Sequence, residues 1–322
     1  MERVHLGELL AALPQYRLVG DANVLVSALA WDSRQVCRGS LFVAYPGVSV
    51  DGHTFIPAAI AAGAAAVVGD RDASEVVPWR TTMNGNVPYV QVPDGREALA
   101  WLSAAWHGFP ARRLTMIGVT GTDGKTTTVN LIYHILRAAG RQTGMISTVN
   151  ARIGDRAVDT GLHTTTPDAY AVQQLLADIA AAGADACVLE TTSHGLAQHR
   201  VTGCDFDVAV VTNITHEHLD FHGSLAAYRA AKASLFAGLA HAARKPGVPK
   251  VAILNRGDSS YEFLRPLVTG RVVTYSVGGE ADVTADDVVV TPAGIRFTLC
   301  SAGGRCAVET PLVGRFNVAN IL

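Results

Sequence analysis

The sequence predicts an α/β protein made of two units, and three observations carry that expectation. Apolar strand-like runs alternate with helix-period segments along most of the 322 residues. Glycine is plentiful, with 31 residues, while charged residues make up only 17% of the chain, a balance that suits compact layered domains. From Leu114 to Leu136 an apolar run, a Gly-rich turn and an apolar-spaced segment follow one another without a break. That is the order of strand, phosphate cradle and helix. At this length two domains are expected, each with its own core; residues 1–109 are assigned to one and 110–322 to the other.

In the first unit, Val24 to Ala30 and Ser40 to Ala44 read as strands and Phe55 to Ala62 as a helix. Ala64 to Val68 and Tyr89 to Val92 are strands again, followed by a helix from Gly95 to Trp106. This order predicts a small α/β domain. Gly108 to Arg113, with Pro110 and two arginines, reads as the linker. The second unit alternates in the same way: Leu114–Val119, Val129–Ala138, Thr143–Ser147, Ala169–Ala182, Ala186–Leu189, Phe206–Val211, Leu225–Leu239 and Val251–Leu254. The pattern predicts a doubly wound, mostly parallel sheet, whose ligands bind at the carboxyl ends of the strands. Residues 271–313 turn to short β segments broken by Gly278-Gly279, Gly294 and Gly303-Gly304, a small antiparallel appendage.

Composition narrows the function classes. The net charge is −2 and no long basic run occurs, so neither nucleic acid nor a membrane surface is expected as a partner. The five cysteines (Cys37, Cys187, Cys204, Cys300 and Cys306) are scattered without a Cys-x-x-Cys and read as reduced thiols. The N-terminus lacks the apolar core of a signal peptide, and no stretch approaches ~20 apolar residues. A cytoplasmic, monomeric protein is expected.

The organising stretch is Gly121-Thr122-Asp123-Gly124-Lys125-Thr126-Thr127. Backbone amides and the positive helix end face an anion, Lys125 reaches the outer phosphates, and a Thr hydroxyl can ligate Mg²⁺. Val119 stands where the general phosphate-loop pattern has Gly. Asp123 beside phosphates is electrostatically awkward, so its side chain is expected to turn away and cap the turn. Glu190 ends an apolar strand near this loop, where a carboxylate can bind Mg²⁺ or cap the next segment. Three histidines, His216, His218 and His222, invite a zinc reading, but Phe221 separates Asp220 from His222 and breaks the hydrolase spacing. Lys232 falls on the apolar face of the segment Leu225 to Phe236, beside Tyr228 and Leu235. Snorkelling is the ordinary use of such a lysine; desolvation, by contrast, favours the neutral amine. Pro167 after Thr164-Thr165-Thr166 is a helix-start signal.

Taken together, Thr-Gly-Thr-Asp-Gly-Lys-Thr-Thr at 120–127, Glu-Thr-Thr-Ser-His at 190–194, Asn213 to Gly223, the Ala-Lys-x-x-Leu-Phe run around Lys232 and Gly314 to Asn320 resemble the Mur ligase family. Asp32-Ser33-Arg34 and Tyr45 to His53 match its UDP-binding signature in order and spacing, in the branch that adds the third residue of the peptidoglycan stem. Without the resemblance both stretches are simply turns. The resemblance implies a UDP-sugar-binding first domain, with Trp31, Ser33, Val48, Ser49 and Val50 at the uridine diphosphate, and a central ATP-binding domain. ATP would contact residues 121–127 and Asn317. Thr165, Thr166, Thr192, Gln198 and Arg200 would contact the muramoyl substrate, and Thr126, Glu190, His218 and a carbamylated Lys232 would hold two Mg²⁺. The implied reaction is ATP-dependent amide formation through an acyl phosphate on UDP-N-acetylmuramoyl-dipeptide (UDP-MurNAc-dipeptide), with lysine, diaminopimelate or ornithine as acceptor. Lys125, Lys232, Glu190 and His218 would be its catalytic groups. The sequence departs from the family pattern at Asp123, Thr191, Thr192 and Glu217. It stops at Leu322 inside an expected helix, so a C-terminal amino-acid-binding domain is expected to be missing and ligation by this chain alone is not expected. A Mur-like or cyanophycin-type ligase acting on another acceptor, and a non-catalytic UDP-sugar and ATP-binding protein, are the alternatives.

Overall fold

The computed structural model describes residues 3–47, 50–75, 87–159, 166–215 and 219–322. The chain divides into two compact units, Met1–Phe109 with Gln198–Gly203, and Pro110–Ala197 with Cys204–Leu322.

In the first unit, β1 (Val4–His5) pairs antiparallel with β3 (Leu25–Val26). A five-stranded sheet is formed by β2 (Arg17–Val19), β4 (Ala28–Ala30), β5 (Ser40–Ala44), β6 (Ala66–Gly69) and β7 (Tyr89–Gln91). Its order is β2-β7-β6-β5-β4, parallel except for β2 at the edge. The expected strand Val24 to Ala30 is two strands, because Ser27 bonds out of line to the Gly39 and Arg38 carbonyls. The helix Leu6–Leu10 and strand β2 escape a sequence reading because elements of five and three residues carry too little periodicity. Helix Gly95–Trp106 begins where Asp94 accepts the Arg96 and Glu97 amides.

The loop after β5 is built around His53, which is fully buried. Its Nδ1 donates to Asp51 Oδ1 at 2.6 Å, and its Nε2 accepts the Asp70 amide at 3.2 Å. The Asp70 carboxylate also stands 3.2 Å from Nε2 through its Oδ1. Arg71 pairs with the other Asp51 oxygen. Burial would raise the Asp51 carboxyl, but hydrogen bonds from the His53 amide and ring and from Arg71 outweigh it and hold it at about 2.

The second unit carries one eleven-stranded sheet. Its strands are β8 (Thr115–Thr120), β9 (Thr143–Ile146), β10 (Ala151–Ile153), β11 (Arg156–Val158), β12 (Ala186–Glu190), β13 (Val208–Val211), β14 (Val251–Asn255), β15 (Arg271–Ser276), β16 (Val283–Thr291), β17 (Gly294–Ser301) and β18 (Gly304–Thr310). Their order is β11-β10-β9-β12-β8-β13-β14-β15-β16-β17-β18. Pairing is parallel from β9 to β16, with antiparallel β10–β11 at one edge and β17–β18 at the other. The expected antiparallel addition is therefore continuous with the parallel sheet through β15–β16, and its strands are long, running nine, eight and seven residues. Helix Lys125–Ala138 packs Val129 and Tyr133 on Ile117, Val119, Met145, Val188 and Val210. An apolar layer thus sits directly behind the Gly-rich turn.

At the start of β8 lies a buried charge cluster. Asp207 has no exposed surface. Its Oδ2 accepts the Met116 amide at 2.8 Å and Lys245 Nζ at 2.6 Å, and its Oδ1 accepts Lys250 Nζ at 2.9 Å. Both ammonium groups fill their other donor positions on carbonyls of Leu114, Asp205, Phe206 and Ala243, so the desolvated charges are fully hydrogen-bonded.

Two outcomes follow for stability. Asp207→Ala strands two buried ammonium groups and should cost about 3–5 kcal/mol in urea unfolding; a loss under 1 kcal/mol would show that the cluster contributes little. Asp51 has a depressed carboxyl, so its contribution is full above the unfolded value near 3.8 and is lost as pH falls toward 2. Thermal midpoints between about pH 5 and pH 2 should drop less steeply in Asp51→Asn than in the wild type.

Candidate active site

The turn Gly121–Gly124 joins β8 to helix Lys125–Ala138. Gly121 has φ +155° and Gly124 φ +80°, conformations that side-chain-bearing residues rarely adopt. Space forbids a side chain too. A Cβ at Gly121 would strike Thr212 Oγ1, and one at Gly124 the Asn320 side chain.

The turn is clamped from the residues after β13. The Thr122 amide donates to the Asn213 carbonyl at 2.8 Å. Asn213 Oδ1 accepts the Asp123 amide at 3.0 Å, while its Nδ2 and Thr212 Oγ1 donate to the Asp123 carbonyl at 3.1 and 2.6 Å. The expectation that Asp123 caps the turn is not met. Helix Lys125–Ala138 has no side-chain cap, Asp123 is exposed, and Asn213 holds the backbone in its place. The first-turn amides of Lys125, Thr126 and Thr127 consequently keep the outward orientation that binds anions. Lys125 Nζ donates to the Thr122 carbonyl at 2.7 Å, folded back over the turn.

Glu190, at the carboxyl end of β12 and 2% exposed, meets the turn through Thr126. The Thr126 hydroxyl lies 3.0 Å from both carboxylate oxygens. Thr148, just past β9, donates to Oε2 from its hydroxyl at 2.7 Å and its amide at 3.2 Å. Two carboxylate oxygens and a hydroxyl, buried beside a helix N-terminus, form the hard oxygen donor set that Mg²⁺ takes. The residues present fit that ion. Glu190 is a member of this group and not the cap of the following segment.

Thr166 and Thr192 come together beside Glu190, with hydroxyls 3.0 Å apart and Thr166 Oγ1 3.3 Å from the Glu190 carbonyl. Thr192 Oγ1 also accepts the Gly195 amide at 3.0 Å. Gly195 packs so tightly that a Cβ there would stand 2.9 Å from Thr166. Thr191 serves the fold, donating to the Val119 carbonyl at 3.0 Å.

Lys232 is 1% exposed, so snorkelling does not describe it. Its Nζ donates to the Gly121 carbonyl and lies 4.6 Å from the centroid of the Tyr228 ring. Asn317 donates to the Val313 carbonyl at 2.8 Å and accepts from Asn320 at 2.9 Å, and Asn320 is the side chain that fills the space left by Gly124.

Trp31, Ser33 and Val50 belong to the first unit, as do Gln198 and Arg200. Asp32 accepts the Arg34 amide and guanidinium within the turn Ser33–Gln35, and that hydrogen bonding lowers the Asp32 carboxyl. Arg200 grips Gln198 Oε1 from Nε and Nη2 at 3.0 and 2.7 Å. Val48, Ser49, Thr165 and His218 lie outside the described residues. Thr148, Thr212 and Tyr228 join the site without having been expected there. The position of Thr148 two residues past a strand next to β12 is the signal that could have found it.

Two family models match, the Mur ligase middle domain over residues 119–322 and the Mur ligase family catalytic domain over residues 25–107. A Geobacillus thermodenitrificans protein named UDP-N-acetylmuramoyl-L-alanyl-D-glutamate–2,6-diaminopimelate ligase is 42% identical over 314 residues, covering 98% of this chain and 62% of its own length. A Roseiflexus protein named UDP-N-acetylmuramyl-tripeptide synthetase is 42% identical over 99% of this chain and 63% of its own length. A solved structure of a diaminopimelate ligase of the same name as the first superposes with a TM-score of 0.82 at 30% identity, over 99% of this chain and 62% of that one. The chain therefore spans less than two thirds of the length of these relatives. On these matches the chain belongs to the Mur ligase family.

Proposed function

We propose that this chain forms the nucleotide-sugar-binding and ATP-binding part of an amide ligase that extends the peptidoglycan stem peptide. The observation that carries the reading is the Thr126–Glu190–Thr148 group at the mouth of the Gly121–Gly124 turn. The relatives' names support UDP-MurNAc-dipeptide as the acyl substrate and put diaminopimelate ahead of lysine and ornithine as the amine.

In this reading the first-turn amides and Lys125 bind the phosphates of ATP, with Lys125 leaving the Thr122 carbonyl for the outer phosphates. Thr126 and Glu190 would hold Mg²⁺, which when bound neutralises charge on the phosphates. The terminal carboxylate of the substrate attacks the γ-phosphorus and ADP leaves. The amine of the amino acid then attacks the acyl carbon, and phosphate departs with the former carboxylate oxygen. The protein supplies no nucleophile; its work is positioning and electrostatic stabilisation. Thr166 and Thr192 offer hydroxyls to the muramoyl-peptide, while Trp31, Ser33 and the Val48–Val50 loop receive the uridine diphosphate. A second Mg²⁺ on His218 and a carbamate at Lys232 belongs to the same proposal. What supports it is the burial of Lys232, which favours the neutral amine that takes up CO₂. The Gly121 bond needs one N–H, and a carbamate nitrogen retains one.

Lys125→Ala should weaken MgATP binding at least ~100-fold, since the outer phosphates lose their fixed cation. A nucleotide titration in which the variant matches the wild type would remove the phosphate-loop reading.

The reaction itself is checked by isotope. With the substrate carboxylate ¹⁸O-labelled, a protein of the relatives' full length carrying these two units should release inorganic phosphate bearing one ¹⁸O. A product of diaminopimelyl-tripeptide mass should appear beside it. Unlabelled phosphate in the presence of product would rule out the acyl phosphate.

A further inference from the structure

Two side chains of helix Leu225–Ala237, four residues apart and so on one face, reach the same Gly-rich turn. Tyr228 is fully buried, and its phenol oxygen lies 2.9 Å from Thr122 Oγ1. Thr122 Oγ1 also accepts the Thr215 amide at 2.9 Å, so the hydroxyl is held from two elements at once. One helical turn on, Lys232 donates from Nζ to the Gly121 carbonyl while lying over the Tyr228 ring. The ring therefore packs against the lysine Nζ and the hydroxyl reaches the turn. Phenylalanine would fill the same volume and keep the ring face beneath Lys232. Only the phenol oxygen distinguishes tyrosine here, and it is directed to the turn.

Between its two glycines the turn has only Thr122 and Asp123. Asn213 fixes the backbone of both residues. No backbone contact fixes the side chain of Thr122 except the Thr215 amide among the described residues, and Tyr228 adds the second restraint. A turn that had to be ordered when nucleotide arrives would subtract that ordering from its affinity.

We propose that Tyr228 is a positioning residue for nucleotide binding, its hydroxyl fixing Thr122 and its ring holding Lys232 at Gly121, so that the phosphate-binding turn is formed before nucleotide arrives. The inference rests on the nucleotide reading of the turn given above.

The test is MgATP titration of the full 322-residue chain as wild type, Tyr228→Phe, Thr122→Val, Thr122→Ser and the Tyr228→Phe/Thr122→Val double variant. Tyr228→Phe should bind about three- to tenfold more weakly, the range of a single lost hydrogen bond. Thr122→Ser, which keeps the hydroxyl, should bind like the wild type. The double variant should bind no more weakly than Thr122→Val, because both substitutions break the same link. Wild-type affinity in Tyr228→Phe, or losses that multiply in the double variant, would overturn the inference while leaving the nucleotide reading intact. Circular dichroism separates folding from affinity: a Tyr228→Phe chain unfolded at the assay temperature would make Tyr228 a core residue and overturn the positioning role. A wild-type chain that fails to bind MgATP would overturn both readings together.

Discussion

Everything at this site depends on a four-residue turn whose backbone cannot hold its own shape. Gly121 and Gly124 adopt positive φ, which leaves their peptide groups pointing away from any regular ladder. Neighbours hold the turn instead: Thr212 and Asn213, just after β13, bond the Asp123 carbonyl and amide, and Lys232 donates to the Gly121 carbonyl. Each of these bonds is ordinary in strength. Their effect is joint, because a turn restrained at successive residues has little freedom left to lose when a ligand arrives. The glycines are required twice over, by conformation and by the side chains of Thr212 and Asn320 that occupy the space a Cβ would need.

The parallel sheet explains why residues from such distant stretches of sequence meet there. Strands β8, β12 and β13 are neighbours and all run the same way, so their carboxyl ends release the chain on one edge of the sheet. The turn follows β8, Glu190 ends β12, and Thr212 follows β13 directly. β9 lies on the other side of β12 and delivers Thr148 to the same edge. The opposite ends of the strands are pinned by Asp207 with Lys245 and Lys250. Pinning β8 through the Met116 amide fixes the register of the strand that carries the turn, so a buried ion cluster at one end supports a polar site at the other.

Much of this was legible in the sequence, for a physical reason. A Gly-Lys-Thr-Thr run after an apolar strand has few structural uses, and long periodic segments such as Gly95–Trp106 and Ala169–Ala181 mark their own ends. Lys232 could be placed on an apolar face from spacing alone. Where its Nζ goes could not, since the Gly121 carbonyl is 111 positions away in sequence. Thr148 and Thr212 were illegible on the same ground: each is a common residue whose importance comes from a partner supplied by the fold. The antiparallel β10–β11 pair was missed because two three-residue strands leave no alternation to detect. Asp123 misled because its carboxylate suggested a cap, while the backbone was already held by Asn213.

The burial of Glu190 sets a condition that its neighbours meet. A carboxylate 2% exposed is costly to bury unless its oxygens are hydrogen-bonded. Here the hydroxyls of Thr126 and Thr148 and one amide supply those bonds. In the proposed reading Glu190 and the Thr126 hydroxyl would hold Mg²⁺, and Thr126 already meets both carboxylate oxygens. Thr148 can donate alongside, because each carboxylate oxygen accepts more than one partner. Thr148 thus anchors the carboxylate independently of Thr126, from its hydroxyl and its amide.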